Sequence, residues 1–497
     1  MKKMNLLVMS LVSAAALSFS SCSSNDDLTG GGTQSQADGV YMTLKISGAT
    51  SHGTRTGVTA DKTTAENGSV AESTITEGMM YIYDGNTCVF RKVITKDMFE
   101  KAPTQSTAGV TKPIKVAVTG AITTGKKYDV YFLANNTSIT DPIAATSIFT
   151  STTGGENFAT DNKFVMFNQN DGTKKAQHST VEFTDDAKSE ATPAAAGEIK
   201  LDRVVARIDN PSFAETVTTV TPAENTTTSI NVGDVVAGIS YEGFAVSNLN
   251  NNSYVMQNWD NKFETLNVKW GEPKYYLPKS AYGTLYNAAG LANFSSKENP
   301  VSWKYAFENT TTDVNDATAV YFKVKVALTE TAMAASDFKD GTFYRYDGRL
   351  YTSIQAIYND AATGAISNPF TETSSITTAD VVAKISDADG KLTTDEAKLA
   401  QFRETYKIEV YRQGVMYYRW AISDNAYKPF IASETTHTYS VLRNSIYRLN
   451  VTKVSEIGKD VPNGPEPDDP IKNPNFYMNV TVSINPWVLN AQPIELK

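Results

Sequence analysis

The stretch Tyr41-Met-Thr-Leu-Lys-Ile-Ser47 alternates apolar and polar side chains, and this alternation decides the fold. Successive side chains of an extended strand point to opposite faces, so Met42, Leu44 and Ile46 would enter a core while their neighbours face water. The same period of two recurs in residues 114–119, 128–133, 321–327 and 406–411. The sequence therefore predicts an all-β architecture in which a β-sandwich occurs at least twice.

The length and charge of the chain limit what it can be. With 497 residues it is long enough for two or three domains, each with its own core. The net charge of -9 and the lack of a basic cluster argue against nucleic acid as a partner. Helical patterns are few, and the best candidates, 280–292 and 394–405, are interpreted as short insertions.

The N-terminus has the layout of a bacterial signal peptide. Lys2 and Lys3 precede an apolar run from residue 6 to residue 17, and small residues lead into Cys22. A thiol at that place is what a lipoprotein signal peptidase requires, so Cys22 is predicted to carry a lipid. The alternative is an ordinary secretory signal with an incidental cysteine. Only one other cysteine exists, Cys88, so lipidation of Cys22 would leave no intramolecular disulfide.

The C-terminal end repeats the pattern of the first strand. Tyr477-Met-Asn-Val-Thr-Val-Ser483 has the same order of tyrosine, methionine and alternating residues as positions 41–47. The two segments could therefore occupy the same slot in a sandwich, although a chance likeness of two strands is the alternative. Pro486 removes a ladder donor and is expected to split the segment, with a second short strand over 487–496.

Arg55 marks a candidate cleavage site. It is the only Lys or Arg between Lys45 and Lys62, and it lies among small residues that let a protease thread the backbone. Cleavage after Arg55 would release the lipid and the first strand together. The alternative is a solvated loop arginine.

Two motifs resemble ligand sites but lack a required residue. Residues 120–127 nearly match a phosphate-binding loop, yet Lys127 stands where Ser or Thr is needed, so we interpret this stretch as a hairpin turn. The stretch 387–390 with Glu396 resembles part of a calcium loop. Aligning Gly390 at the sixth position puts Ile385 at the first, where an oxygen ligand is required.

No pattern of residues indicates catalysis. The sequence has no nucleophile elbow and no zinc-ligand spacing, and Cys88 is interpreted as a small buried strand residue. We therefore expect neither enzymatic activity nor a cofactor or metal.

Several further segments complete a resemblance to a known family. Taken with the N- and C-terminal features, residues 80–84, 128–135, 203–207 and 441–447 resemble the fimbrillins of the Bacteroidales, lipoprotein-derived pilins of the FimA and minor-fimbrium kind. The resemblance implies two transthyretin-like β-sandwich domains, lipidation at Cys22, and cleavage between Arg55 and Thr56 by an arginine-specific protease. It also implies polymerisation by strand exchange, in which the C-terminal strand of one subunit fills the groove of the next. The residues that would enter that groove are Met478, Val480, Val482, Ile484 and Trp487.

These inferences divide the chain into consecutive segments. They are a signal peptide (1–21), a lipidated propeptide with the first strand (22–55), an N-terminal sandwich (56–209), a C-terminal sandwich (210–456), a proline-rich linker (457–475) and a C-terminal donor segment (476–497).

The resemblance also implies a function and a set of partners. The chain would be a pilin of a cell-surface fimbria that supports adhesion and biofilm formation, with its precursor anchored by lipid to the outer membrane. Its partners would be identical subunits arranged head to tail, accessory and anchor subunits, and the processing protease. The alternatives are an accessory or tip subunit and a surface glycan-binding lipoprotein.

Overall fold

The computed structural model describes residues 39–48, 66–101, 113–144, 147–169, 179–213, 232–257, 295, 301–311, 313–370, 376–422, 439–454, 456–461 and 478–488. Most regular structure in these residues is β-strand, and the helices are short, the longest being Glu396–Tyr406. The predicted all-β class with short helical insertions is confirmed. Among the described residues, no helix is long and apolar enough to cross a membrane.

The elements up to residue 203 are mostly those of an N-terminal sandwich. They are β1 (Gly39–Leu44), β2 (Ile46–Gly48), β3 (Glu66–Asn67), α1 (Val70–Ser73), β4 (Gly78–Asp84), β5 (Thr87–Ile94), α2 (Lys96–Lys101), β6 (Ile114–Thr119), β7 (Lys127–Ala134), β8 (Ile148–Thr150), β9 (Met166–Asn168), β10 (Ser179–Glu182), β11 (Ala194–Ala195) and β12 (Ile199–Arg203). One sheet has the order β11-β1-β6 and the other β2-β12-β9-β7-β4-β5, with β10 paired to β7. Buried side chains of both sheets form one hydrophobic cluster, to which Met42 and Val116 belong from the first sheet and Phe132 and Leu201 from the second.

The connection from β6 to β7 crosses between these two sheets. β6 pairs with β1, whereas β7 pairs with β4, β9 and β10. The predicted hairpin turn at 120–127 is therefore wrong, because the partners of both flanking strands come from elsewhere in the chain. Gly120 and Gly125 have φ angles of 122° and 80°, a backbone region in which glycine meets no steric penalty.

The remaining elements belong to a second sandwich and to an insertion in it. They are β13 (Ala206–Asp209), β14 (Ser212–Phe213), α3 (Val232–Val235), β15 (Val236–Ser247), β16 (Asn252–Tyr254), β17 (Trp303–Ala306), β18 (Asn309–Thr311), β19 (Ala319–Leu328), α4 (Glu330–Ala335), β20 (Phe343–Tyr346), β21 (Arg349–Tyr351), α5 (Ile354–Ala362), α6 (Thr378–Ala383), α7 (Glu396–Tyr406), β22 (Glu409–Tyr411), β23 (Val415–Ala421), β24 (Tyr439–Val441), β25 (Ser445–Val454) and β26 (Met478–Val488). The main sheets have the orders β17-β13-β25-β26-β3 and β15-β19-β23. A second hydrophobic cluster joins them, with Ile208 and Leu449 from one sheet and Phe322 and Met416 from the other.

Residues 329–414 form a helical insertion between β19 and β23. These two strands pair directly, with Lys325 opposite Val415, so the insertion leaves and re-enters one sheet at neighbouring points. The insertion contains α4 to α7 and β20 to β22, and it has a hydrophobic cluster of its own that includes Ile354, Leu399 and Val410. It is therefore a small module packed on the second sandwich.

The insertion tests two sequence predictions. The helix predicted over 394–405 is confirmed by α7, which Asp395 caps by accepting the amides of Ala397 and Lys398. The strand predicted over 406–411 is wrong in its first half, because α7 continues to Tyr406 and Lys407 ends it with a φ of 56°. The helix predicted over 280–292 lies outside the described residues.

The sequence predicts the stretch 199–208 to be the last strand of the first sandwich, but the structure divides this stretch between the two sandwiches. β12 pairs with β2 and β9 in the first, whereas β13 pairs with β17 and β25 in the second. The prediction of one strand is wrong, because the chain changes sheets at Val204 and Val205. Both of these residues are buried and belong to the first cluster. The predicted domain boundaries themselves stay a prediction.

A buried ionic network surrounds this crossing. The carboxylate of Glu72, near the end of α1, accepts hydrogen bonds from the Arg207 guanidinium at 3.0 Å and from the Ser69 amide at 2.7 Å. The Nε of Arg203 donates to the Glu72 carbonyl at 2.9 Å, and its Nη1 donates to Asn444 Oδ1 at 3.2 Å. Arg203 is fully buried. The network thus ties α1 to strands of both sandwiches.

A second buried pair lies nearby. The Nε of Arg443 donates to Glu308 Oε2 at 2.7 Å, and its Nη1 donates to the Val255 carbonyl at 3.0 Å. Both charged side chains are nearly inaccessible to solvent. A buried charge without its partner is costly, so these contacts make the arrangement of the crossing specific.

We expect Glu72→Gln to lower the free energy of unfolding by about 3 kcal/mol, because it leaves buried guanidinium groups without their carboxylate. The matched control is Glu190→Gln, which removes an exposed pair with Lys115 at 3.6 Å and is expected to cost less than about 1 kcal/mol. Urea unfolding at pH 7 measures both, and equal effects would contradict this role of Glu72.

The same variant makes the pH dependence testable. Burial raises the pKa of Glu72, but the Ser69 amide and the guanidinium groups of Arg207 and Arg203 outweigh it, so the net pKa is lowered. Because the pKa of Glu72 is lower in the folded state than in the unfolded state, the ionised group stabilises the fold at pH values above the unfolded-state pKa, about 4.3. That stabilisation is lost as the pH falls through the folded-state pKa. The difference in the free energy of unfolding between the wild type and Glu72→Gln should therefore become smaller below about pH 4. A constant difference down to about pH 3 would contradict it.

Candidate strand-exchange site

The first strand is paired along both of its edges. β1 runs antiparallel to β6 over its whole length and parallel to β11 around Met42. After Lys45 the chain enters the other sheet, where β2 pairs in parallel with β12, and Ile46 lies opposite Ile199. Residues 39–48 therefore contribute a strand to each sheet of the N-terminal sandwich.

One row of side chains in this segment fills the core. Val40 is 6% exposed, and Met42, Leu44 and Ile46 are fully buried. Between them, Tyr41, Thr43 and Lys45 are only partly buried. The predicted inward row is confirmed.

The burial of this row gives the strand a large share of the local stability. Each fully buried aliphatic side chain contributes roughly 1.5–3 kcal/mol, so the row contributes about 6–12 kcal/mol before the cost of ordering the segment. Without the segment, β6 and β11 would expose unpaired amides and carbonyls along a groove lined by apolar side chains. Such a groove accepts an extended strand with alternating apolar residues.

We expect Leu44→Ala to destabilise the uncleaved protein by about 2–5 kcal/mol, because it opens a cavity in the first cluster. The partly buried neighbour provides the control, since Lys45→Ala should change stability by about 0.5 kcal/mol or less. Thermal unfolding of each variant, before and after cleavage by an arginine-specific protease, measures both changes in stability. If the cut strand leaves the groove, the effect of Leu44→Ala disappears on cleavage; if the effect persists, the cut strand stays docked.

The predicted modification sites lie outside the described residues. Cys22, Arg55 and Thr56 are not among them. β2 ends at Gly48 and β3 begins at Glu66, so a cut after Arg55 would separate β1 and β2 from every other described element. The bond that is cut stays a prediction.

The C-terminal strand lies in the second sandwich. β26 runs antiparallel to β25 and places the predicted donor positions opposite buried residues of the second cluster. The register pairs Met478 with Val454, Val480 with Val451, Val482 with Leu449, and Ile484 with Tyr447. In the single chain, β1 and β26 therefore occupy different sheets, and the use of one slot by both requires a second subunit.

Pro486 does not divide this strand, contrary to the sequence prediction. β26 continues through it to Val488. Pro486 lies opposite Ser445, the first residue of β25, and from Trp487 onward the partner strand is β3, with Trp487 opposite Glu66. The proline thus occupies the place where β26 changes partners, where a missing ladder donor costs least.

The other motifs of the sequence have structural roles. Asp387 Oδ1 accepts the amides of Asp389 and Lys391 at 2.9 Å, which closes a turn. Cys88 lies on β5 and is half-buried, and burial raises the pKa of its thiol, so the thiolate is disfavoured. In the part of the chain that the structure describes, no group of His, Cys, Asp or Glu residues could hold a metal ion.

Sequence reasoning missed the contacts of residues 456–461, most of which it assigned to the start of the proline-rich linker (457–475). Asp460 is buried and accepts a hydrogen bond from Arg403, which lies far away in the sequence on α7. No local pattern reveals such a pair. Only the helix over 394–405, which carries Arg403, was visible as a signal.

A protein-family model matches the C-terminal part of the chain, which contains the predicted donor strand. Residues 409–493 match the model described as major fimbrial subunit protein type IV, fimbrillin, C-terminal. Residues 409–493 are therefore similar to the C-terminal region of the fimbrillins. The matched stretch extends from β22 past the end of β26, so it includes both the C-terminal strand and its partner β25. The predicted resemblance to the fimbrillins is confirmed through this region.

The solved structures that the chain matches include proteins from Porphyromonas gingivalis and Parabacteroides distasonis. A fimbrilin from Porphyromonas gingivalis is 15% identical, with a TM-score of 0.42, and the match covers 91% of this chain and 99% of that one. A putative cell adhesion protein from Parabacteroides distasonis is 12% identical, with a TM-score of 0.42 and coverage of 92% and 99%. The tip fimbrial protein Mfa3 from Porphyromonas gingivalis, truncated at its C-terminus, is 12% identical, with a TM-score of 0.30 and coverage of 90% and 100%. No curated protein sequence matches the chain.

The fimbrillin region supports a coarse functional conclusion. Fimbrillins are structural, non-enzymatic subunits of fimbriae, so the match supports a structural role for this chain in a fimbria at the cell surface. At such low identities and TM-scores, the solved structures add nothing to this conclusion.

Proposed function

We propose that the chain is a structural pilin, exported as a lipoprotein through Cys22, cleaved after Arg55 and polymerised by strand exchange. One observation carries the proposal. The first strand is buried on one face and paired on both edges, and residues 477–483 repeat its sequence pattern. In this proposal the precursor is held at the outer membrane, and the processed subunit enters a surface fimbria that supports adhesion and biofilm formation.

Cleavage is the step that permits exchange. While β1 is covalently attached, its effective concentration at its own groove is of the order of millimolar or more, which a donor from another subunit cannot match. A cut after Arg55 turns β1 and β2 into a separate fragment that is diluted once it dissociates. The groove beside β6 and β11 is then open to an intermolecular strand.

The C-terminal segment has the residues to refill the groove. Met478, Val480 and Val482 repeat the alternation of Met42, Leu44 and Ile46, with Ile484 extending the row and Trp487 following Pro486. A donor row of this size would regain about 6–12 kcal/mol of burial, from which the costs of association and ordering are subtracted. Main-chain pairing supplies affinity, and the alternate side chains supply register.

Repetition of this contact produces a filament. The groove lies on the N-terminal sandwich and the donor on the C-terminal end, so the contact is head-to-tail and does not close on itself. The partners of the subunit are identical copies along the fibre, with accessory and anchor subunits at its ends and an arginine-specific protease acting on the precursor.

We expect deletion of residues 476–497 to leave a folded protein that does not polymerise, because the groove of the next subunit receives no strand. Negative-stain electron microscopy of the cleaved protein measures this, with circular dichroism to verify folding. A matched pair of variants refines it: Val482→Asp on the donor row should block fibres, whereas Thr481→Asp on the alternate row should not. Normal fibres from the deletion variant would rule out exchange of this strand.

We expect Arg55→Ala to leave a lipidated precursor that stays monomeric, because the first strand keeps its groove occupied. Treatment with an arginine-specific protease followed by N-terminal sequencing measures the cut, with Thr56 expected as the first residue in the wild type. Lys62→Ala is the control and should be processed normally. Unchanged processing of Arg55→Ala would assign the cut to another bond.

A further inference from the structure

The segment 456–461, which we call the anchor segment, follows β25 and includes the first residues of the linker predicted over 457–475. β25 ends at Val454, and residues 462–477 connect the anchor segment to β26. Among the described residues of the folded body, this segment is therefore the first that a pull on β26 from outside the subunit would reach along the chain. Its contacts decide whether the pull is resisted there or at the end of β25.

The charged end of the anchor segment is buried against the helical insertion. Asp460 is 4% exposed. Its Oδ2 accepts a hydrogen bond from the Nε of Arg403 on α7 and another, at 2.9 Å, from the backbone amide of Val410 on β22. The neighbouring Lys459 places its ammonium 3.3 Å from Glu409. Loss of one member of a buried pair leaves the other without a partner, so such a contact resists opening.

The backbone of the anchor segment also forms hydrogen bonds with β22 and β23. Lys459 exchanges two hydrogen bonds with Tyr417 of β23, at 2.7 and 2.8 Å. The hydroxyl of Tyr411 donates to the Gly458 carbonyl at 2.8 Å, and that of Tyr418 donates to the Glu456 carbonyl at 2.8 Å. The backbone at three positions of the segment, 456, 458 and 459, is thus hydrogen-bonded to β22 and β23.

Gly458 permits this close approach. A Cβ atom added there would lie 2.5 Å from the Tyr417 carbonyl oxygen, far inside van der Waals contact. Any larger residue at this position must push the anchor segment away from β23. A substitution of Gly458 therefore opens the contact without removing a charge.

The position of the insertion explains what it adds to the second sandwich. β19 and β23 pair directly, so the sheet needs only a short turn between them. The insertion instead brings Arg403, Val410 and Glu409 to the anchor segment, and Arg345 of β20 donates to the Ile457 carbonyl at 3.4 Å. Its own hydrophobic cluster makes it a rigid support for these contacts.

We propose that the helical insertion and β23 form a tension clamp, which holds the anchor segment so that a pull on the exchanged strand is stopped at residues 456–461. Without the clamp, the same pull would act on the Val454 end of β25 and peel it from its sheet one hydrogen bond at a time. The clamp rests on the proposed strand exchange, since only a donor bound in another subunit would be pulled.

The test applies a constant force to single molecules of the uncleaved chain, residues 22–497, held by their two ends. The length of chain released in each step separates the detachment of β26 from the opening of the anchor segment and the peeling of β25. We expect Asp460→Asn and Gly458→Ala each to shorten the lifetime of the clamped state about tenfold or more. Asp360→Asn is the matched control, because Asp360 binds Arg349 and Tyr351 inside the same insertion, and it should leave the lifetime unchanged.

The outcomes distinguish the clamp from the proposed function. Unchanged lifetimes in Asp460→Asn and Gly458→Ala, or an equal loss in Asp360→Asn, would overturn the clamp, whether or not fibres form. Because the pulling experiment uses monomers, it tests the clamp even if the deletion of residues 476–497 shows that strand exchange is wrong. A shortened lifetime in both anchor variants, with an unchanged control, supports the clamp.

Discussion

The pairing of the first strand on both of its edges is the constraint on which the rest of the structure depends. β1 lies between β6 and β11, and its inward row completes the first hydrophobic cluster. A strand in that position cannot be removed without leaving two unpaired edges and an apolar groove. It also cannot be displaced while it remains part of the same chain. In the proposed function, the stability of the precursor and the ability of the cleaved subunit to accept a strand therefore have the same origin.

A continuous set of strands connects this groove to the C-terminal strand. β12, which borders β2, continues through Val204 and Val205 into β13, and β13 pairs with β25, the partner of β26. The buried pairs of Glu72 with Arg207 and of Glu308 with Arg443 fix this path where it crosses between the sandwiches. In the proposed strand exchange, the acceptor groove and the donor strand are thus parts of one connected set of strands. The proposed tension clamp lies at residues 456–461, beyond the end of β25.

Local pattern and long-range pairing account for what could and could not be predicted. Strands such as Ile114–Thr119 are visible in the sequence because the period of two is a local property. The sheet that a strand joins is not local, which is why the stretch 199–208 divides and the loop at 120–127 crosses between sheets. The pair of Arg403 with Asp460 depends on two elements that meet only in the folded chain. The likeness of the two ends could be predicted, whereas the place of β26 beside β25 could not.

The central claim is that the C-terminal strand of one subunit replaces the first strand of the next. The most direct measurement is a structure of the assembled fibre by electron cryomicroscopy, at a resolution that separates strands and identifies side chains. Strand exchange predicts that Met478, Val480, Val482 and Ile484 of a neighbouring subunit fill the place of β1 between β6 and β11, and that each subunit begins at Thr56. A fibre in which β1 still occupies its own groove, or in which β26 remains on the β25 of its own chain, would contradict it.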